Sequence, residues 1–189
     1  EISHQGTALN AESAELGGDL LLDRAKIAGG LKLAHTRIGG RFAADGLHAS
    51  GIPVSLAAPG LSVAQGISMA GARFSGSVRL EGAEIGKAFR AEGLEIDGGD
   101  LAIGADVIRI GGNWEMARAR LVGALNMPGA KLDGQLRLTE ATLTCGESAI
   151  RGDGARIRGG AFLSRTTIAG LVRFPAAELG NQFRLRGAT

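Results

Sequence analysis

Residues 108–140 read IRIGGNWEMAR, ARLVGALNMPG and AKLDGQLRLTE when they are written as three successive rows of eleven. Each row has small or apolar residues at positions one, three, seven and nine, and glycine at position five. The same frame fits the units that begin at residues 72, 83, 166 and 177. Self-similarity at a short fixed period is the signature of a repeat architecture. The sequence therefore predicts a solenoid.

Every fourth unit is longer and has fourteen residues; these units begin at Leu47, Leu94 and Ala141. Three elevens and one fourteen make a superperiod of 47 residues, and residues 1–13 match the long unit from its second position. Four superperiods nearly fill the 189 residues. We therefore expect one β-helix domain over residues 1–189. Because the chain starts and stops within a repeat, we expect it to be a fragment of a longer protein.

The apolar positions of the twelve complete short units identify the secondary structure. Positions one, three, seven and nine supply 48 residues; none is charged, although 21% of the chain is, and only Thr36 and Thr166 are polar. Apolar residues alternate with polar ones, which is the period of a β-strand. Glycine occupies position five in nine units, the exceptions being Gln65, Lys87 and Asn181. We interpret this glycine as a corner that needs positive φ.

Eleven residues are too few to enclose a core, so two units should form one coil with four short walls. The sequence predicts an all-β, right-handed β-helix of about eight coils, alternating between 22 and 25 residues. The extra residues of the long units should protrude in a row around Pro53, Gly98 and Glu147. Position seven should form one internal column: Leu20, Phe42, Ile67, Phe89, Trp114, Leu136, Ala161 and Phe183.

The outward residues support this register through opposite charges in neighbouring coils. It places Glu115 between Arg90 and Arg137, and Glu95 between Arg73 and Arg120. An amphipathic helical repeat is the main alternative, but a glycine at each unit centre opposes a helix. A left-handed β-helix is a further alternative, although its hexapeptide walls do not match units of eleven and fourteen.

The amino-acid composition argues against several classes of function. The chain has 32 glycines, one tryptophan, a net charge of +2 and a single cysteine, Cys145. One cysteine excludes an internal disulfide framework, and a nearly balanced charge implies no strong field for nucleic acid. No apolar run is long enough to span a membrane. We expect a cytoplasmic protein, with membrane contact only through parts of the full-length chain outside this segment.

Two stretches resemble known repeat families: GAKLDGQLRLTEATL (129–143) and SAIRGDGARIRGGAFL (148–163). They are similar to the repeats of a bacterial glycine-rich β-helix family whose members are labelled "membrane-associated oxidoreductase". The four-walled coils more distantly resemble those of pentapeptide-repeat proteins, which use five residues per wall. The resemblance implies a β-helix over nearly the whole chain and, through the label, a redox function for the complete protein.

Candidate chemical groups fall on positions that the repeat already explains. His4, His35 and His48 lie at different positions of the frame, and Cys145 has no histidine beside it. Asp97, Asp100 and Asp106 form the best acidic group for polysaccharide hydrolysis, but other superperiods lack equivalents. The outward arginines could form a basic stripe, although intervening acids favour cross-strand pairing: Arg79, Arg90, Arg137, Arg173 and Arg184. We predict no catalytic, cofactor-binding or metal-binding residue.

These observations favour a rigid, non-catalytic rod that serves as a structural or protein-interaction scaffold. Its partners should be proteins, including other copies that associate end to end through open coil edges. We expect no cofactor and no nucleic-acid partner. Two alternatives remain. The chain could be one part of a membrane-associated oxidoreductase whose cofactor site lies outside this segment, or it could be a carbohydrate-binding surface β-helix.

Overall fold

The computed structural model describes residues 2–189, with side chains from residue 6 onward. All regular elements of this part are β-strands, and they stack in parallel as a β-solenoid of about eight coils. The described chain has no helix long and apolar enough to cross a membrane.

Three parallel sheets run along the solenoid, and the strands are numbered in chain order. The first sheet forms two adjoining walls from ten strands: β1 (Ile2–Asn10), β4 (Lys26–Lys32), β7 (His48–Ala49), β8 (Val54–Ala57), β11 (Arg73–Phe74), β12 (Ser77–Arg79), β15 (Glu95–Gly104), β18 (Arg120–Asn126), β21 (Thr142–Arg151) and β24 (Thr167–Arg173). The second sheet has eight: β2 (Glu15–Leu16), β5 (Arg37–Ile38), β9 (Ser62–Val63), β13 (Glu84–Ile85), β16 (Arg109–Ile110), β19 (Lys131–Leu132), β22 (Arg156–Ile157) and β25 (Glu178–Leu179). The third also has eight: β3 (Leu20–Leu21), β6 (Phe42–Ala43), β10 (Ile67–Ser68), β14 (Phe89–Arg90), β17 (Trp114–Glu115), β20 (Leu136–Arg137), β23 (Ala161–Phe162) and β26 (Phe183–Arg184).

The strand register confirms the alternation of coil lengths. In the third sheet Phe42 lies beside Ile67, and Ile67 beside Phe89, which are offsets of 25 and 22 residues. The predicted position-seven column is complete from Leu20 to Phe183. The rings of Phe89 and Trp114 stack within it, 5.6 Å apart at 11°. This column forms one wall of a continuous core between Ile27 and Leu163.

The two polar residues at inward positions are satisfied by backbone carbonyls. Thr36 is fully buried, and its hydroxyl donates to the Ala11 carbonyl oxygen at 2.7 Å. Thr166 is likewise buried and donates to the Leu138 carbonyl at 2.7 Å. A buried hydroxyl with a partner avoids most of its desolvation cost, so threonine is tolerated at position one.

The glycine at position five has a different cause from the one predicted. Positive φ occurs there at Gly29, Gly123, Gly170 and Asn181, whereas the other six position-five glycines lie outside that region. Five of these six, all except Gly18, lie so close to the neighbouring coil that a Cβ would be crowded. A Cβ at Gly76 would lie 2.3 Å from the Gly51 carbonyl oxygen. The prediction that this corner generally needs positive φ was therefore wrong, because stacking distance explains most of these glycines.

The left-handed corner is instead the last residue of every unit. All sixteen unit ends have φ between 52° and 67°, and eight of them are not glycine: Ser13, Arg24, His35, Val107, Arg118, Glu140, Arg165 and Ala176. The next residue donates its N–H to the carbonyl three residues back, as Leu61 does to Ala58 at 3.2 Å. Proline precedes the corner at Pro59, Pro128 and Pro175. This arrangement matches a type II turn, in which proline is common at the second position.

The long units add their residues at the corner where the two walls of the first sheet meet, as predicted. Between β15 and β18 the register shifts twice, once between Asp97 and Leu101 and once between Leu101 and Ile103. Equivalent shifts separate β21 from β24. The inserted corners reach solvent: Ile52, beside Pro53, is 78% exposed and the Glu147 side chain is 87% exposed. They form a protruding row on every second coil.

Candidate functional site

The histidines do not converge on one point. His48 lies in register with Lys26 and Arg73, two cationic residues of the adjacent coils. His35 occupies a left-handed corner, and its ring fills the space above Gly60, where a Cβ would approach Nδ1 to 2.6 Å. The side chain of His4 lies outside the described residues. Within the described part, no group of three or more His, Cys, Asp or Glu residues is placed to hold a metal ion.

Cys145 lies in the protruding corner of β21 and is half-buried as a free thiol. It lines a cavity of about 440 Å³ together with Asp100, Asn126, Glu147 and Arg151. Glu147 and Arg151 form an ion pair at 3.6 Å on the rim. A nucleophilic cysteine needs a neighbouring base or cation that favours the thiolate; no histidine lines this cavity, and its arginine is paired with a carboxylate.

The three aspartates of the acidic group point into different surroundings. Asp97 lines a surface cleft with Arg73, Glu95 and Arg120, whereas Asp100 faces the Cys145 cavity. Asp106 lies at the end of the following wall, where burial and the nearby Glu81 carboxylate raise its pKa above the usual value. Its Oδ1 atom is buried without a hydrogen-bond partner. These three aspartates therefore do not form the pair of carboxylates that hydrolysis requires.

Most outward arginines pair with carboxylates of the same or the next coil. Arg79 pairs with Glu81, Arg173 with Asp153, and Arg90 with Glu115 at 3.8 Å. The other two donate to glutamines, Arg137 to Gln135 and Arg184 to Gln182, each at 2.6 Å. The predicted cross-strand pairing thus holds for two of the five arginines, Arg90 and Arg173, because Glu81 lies two residues from Arg79 in the same coil. The predicted neighbours of Glu95 are in register, but its ion pair is with Arg73 at 3.2 Å.

A groove that the sequence analysis missed crosses the outer face of the third sheet. It encloses about 780 Å³ where Ala43 and Ser68 replace the long outward side chains of later coils. Cationic residues and two aspartates rim it: Arg24, Arg41, Lys87, Arg90, Asp23 and Asp45. The small residues at position eight were the available signal for this groove.

The two aspartates of the groove have a structural role at the corners. Asp23 Oδ1 accepts the Asp45 N–H of the next coil at 2.9 Å, and Asp45 Oδ1 accepts the Ala70 N–H at 2.7 Å. At the opposite corner, Asp19 Oδ1 accepts the Arg41 N–H at 2.9 Å. That backbone hydrogen bond has the largest effect and lowers the pKa of Asp19; burial opposes it less strongly, and the Arg41 side chain lowers the pKa further. These carboxylates hold adjacent coils together, and they do not form a recognisable catalytic site.

Comparisons with known proteins do not assign this chain to a family. No protein-family model and no curated protein matches the chain, so the oxidoreductase label of the resembling repeats gains no support there. Among solved structures, HetL is similar, a pentapeptide-repeat protein involved in heterocyst differentiation regulation from the cyanobacterium Nostoc sp. strain PCC 7120. The match has 15% identity and a TM-score of 0.22, and covers 98% of this chain and 89% of HetL. At that score the β-solenoid assignment rests on the strand register described above.

Proposed function

We propose that this chain is a non-catalytic β-helical rod that serves as a protein-interaction scaffold. The observation that carries the proposal is the continuous stack of parallel strands, whose core runs unbroken between Ile27 and Leu163. A rod of this kind presents long, regular faces to a partner.

The lateral faces support the same proposal. Ion pairs between adjacent coils occupy much of this surface, including Arg37 with Glu15 at 2.7 Å and Arg109 with Glu84 at 3.2 Å. Exposed ion pairs of this kind each contribute only about 0–1 kcal/mol to the stability of the fold. They nevertheless make the surface polar and rigid. Solenoids typically offer such extended surfaces to partners.

Sedimentation of the purified 189-residue chain tests the self-association part of this proposal. Average mass should increase with protein concentration as copies bind one another. A strict monomer at every concentration would contradict it. Circular dichroism on the same samples should show β-structure, which establishes that a monomeric result comes from folded protein.

The family resemblance supports a second proposal, a piece of a membrane-associated oxidoreductase whose cofactor site lies outside this segment. An absorbance scan of the full-length protein tests it: a flavin or haem spectrum supports the proposal, and a featureless visible range contradicts it. For carbohydrate binding the structure offers little support. The outward aromatic Phe162 is covered by Arg184, whose guanidinium carbon lies 5.4 Å from the ring centre, so the face that would stack on a sugar is occupied.

A further inference from the structure

We propose that a cleft on the wall that contains β7 and β11 binds a phosphate group. The cleft encloses about 420 Å³ and extends over three successive coils. Its lining side chains project from two outward columns: Lys26, His48 and Arg73 in the first, and Ala28, Ser50 and Ser75 in the second. This His48 cleft lies on the side of the solenoid. Phosphate binding there would be a further property of the chain, independent of a scaffold function.

Strand pairing places the three basic residues of the cleft side by side. In the parallel ladder Lys26 lies beside His48, and His48 lies beside Arg73. Adjacent strands are about 4.8 Å apart, so side chains of this length can reach one small ligand. Residues two positions further along a strand face the same side. The Ser50 and Ser75 hydroxyls therefore line the same cleft from the second column.

A row of three basic residues differs from the charge pattern of the third sheet, where Glu115 lies between Arg90 and Arg137. Opposite charges on neighbouring strands stabilise a sheet, and like charges destabilise it. None of the described residues that line the His48 cleft is acidic. A bound anion would therefore supply the opposite charge that a glutamate supplies in the third sheet.

The same cleft occurs again one superperiod later, with a different charge. Each residue that lines the His48 cleft has its counterpart 47 positions further along in a second cleft of about 360 Å³, the Glu95 cleft. There Glu95 stands in place of His48, and Asp97 in place of Ser50. The Glu95 cleft thus contains two carboxylates, whereas the His48 cleft contains none. Two side chains in an equivalent backbone setting account for this difference.

Arg73 belongs to both clefts. Its Nε and Nη2 atoms donate to the Glu95 carboxylate at 3.2 and 3.4 Å. This ion pair offsets part of the arginine charge, but it also fixes the plane of the guanidinium, and Nη1 takes no part in it. Arginine presents its N–H groups in a rigid planar fork that suits phosphate oxygens. Arg73 is therefore oriented before a ligand arrives.

The donors of the His48 cleft suit a phosphate group better than a carboxylate. A phosphate monoester carries a charge of about −1.5 to −2 at neutral pH and three acceptor oxygens. Lysine and arginine only donate hydrogen bonds, an imidazole donates from one or both ring nitrogens, and each serine hydroxyl adds a donor. Hydrogen bonds between charged groups are the strong ones. A carboxylate has one charge and two oxygens, so it would leave several of these donors unused.

Titration of the ¹⁵N-labelled chain with inorganic phosphate at constant ionic strength, followed by nuclear magnetic resonance, tests the site. The backbone amide signals of His48 and Ser50 should shift and saturate, whereas those of Asp97 and Val122 in the Glu95 cleft should not. The double variant His48→Glu, Ser50→Asp should weaken binding by about tenfold or more, because it introduces the carboxylates of the Glu95 cleft. Shifts that do not saturate, or that are equal in the two clefts, would contradict the proposal.

The reverse exchange tests the same idea by a gain of binding. The double variant Glu95→His, Asp97→Ser should create a second phosphate site, so that the amide signals of Val122 and of position 97 also shift and saturate. All four exchanged side chains are exposed, so fluorescence of the buried Trp114 should remain native in both double variants. A folded reverse variant without a second site would show that these two side chains do not determine binding, contrary to the proposal.

O-phosphoserine in place of inorganic phosphate distinguishes the two sources of the group. Tighter binding of O-phosphoserine indicates a phosphorylated side chain as the ligand, and equal or weaker binding indicates the free anion. If neither compound produces saturating shifts at His48 and Ser50, the phosphate site is wrong. The scaffold proposal is unaffected by that result, because it depends on the stacked strands and not on this cleft.

Discussion

Val107 shows at the scale of one residue how the corners depend on backbone conformation. It is a β-branched residue with φ of 52° at an exposed corner, where the equivalent residue is glycine in half of the units. Left-handed backbone costs a non-glycine residue about 1–2 kcal/mol. The strain persists because the coils on both sides fix the turn.

Replacement of Val107 by glycine should therefore stabilise the fold. We expect a gain of up to about 1 kcal/mol in the free energy of unfolding, since relief of strain exceeds the added entropy of unfolded glycine. The matched change, Gly154→Val, should destabilise by a similar or larger amount. Gly154 has φ of 64° and no atom within 4 Å of a built Cβ, so only the backbone is affected. Urea unfolding measures the free energy of unfolding of both variants. Equal stability of the wild type, Val107→Gly and Gly154→Val would contradict the turn assignment.

Asp106 provides a prediction that depends on pH. Burial and then the Glu81 charge raise its pKa in the folded state, so the ionised form destabilises the fold at neutral pH and protonation relieves the cost. Asp106→Asn should be more stable than the wild type at pH 7, by less than about 1 kcal/mol because the site is partly solvated. The difference should shrink as pH falls through the folded-state pKa. Thermal unfolding from pH 7 to 3 measures this, and a difference that grows on acidification would contradict it.

At the scale of the element, position five sets how closely one coil approaches the next. A Cβ at Gly76 would lie 2.3 Å from a backbone oxygen, whereas one at Gly146, the sixth residue of a long unit, would meet nothing within 4 Å. Gly76→Ala should therefore destabilise by about 1–3 kcal/mol, the usual range for overpacking. Gly146→Ala should leave stability nearly unchanged. If both alanine variants unfold at the same urea concentration, close approach is not the reason for the glycine.

The elements also show what the sequence could and could not predict. Columns such as Phe89 beside Trp114 were predictable because period two fixes which side chains face inward, and the 47-residue superperiod fixes their neighbours. The reason for the position-five glycines was not predictable, because glycine is favoured both where φ is positive and where two backbones come into close contact. The alternation of short strands also predicted a corner near positions ten and eleven of each unit, but its left-handed conformation was missed because residues such as Arg118 and Glu140 occupy many of these positions. The groove over Ala43 and Ser68 was not predicted, because its shape depends on how the side chains of neighbouring coils lie together in three dimensions.

At the scale of the whole molecule, the superperiod should be the unit that can be removed. Deletion of residues 72–118 removes one coil of each length and leaves every remaining residue on its own wall. Deletion of residues 108–118 alone would shift all following residues by half a coil, placing β18 onward on the wrong walls. We expect the first variant to remain folded and the second to lose its cooperative transition. Circular dichroism with thermal melting distinguishes them, and equal folding of both would contradict the two-unit coil.

The most direct test of the 22- and 25-residue coils is a spin-label distance along the third sheet. Labels at Leu21 and Arg137, in a Cys145→Ser background, lie five strand layers apart in one outward column. At about 4.8 Å per layer, pulsed electron paramagnetic resonance should give one narrow distribution near 24 Å. A broad distribution, or a sharp peak well away from that distance, would contradict the stacked-coil register.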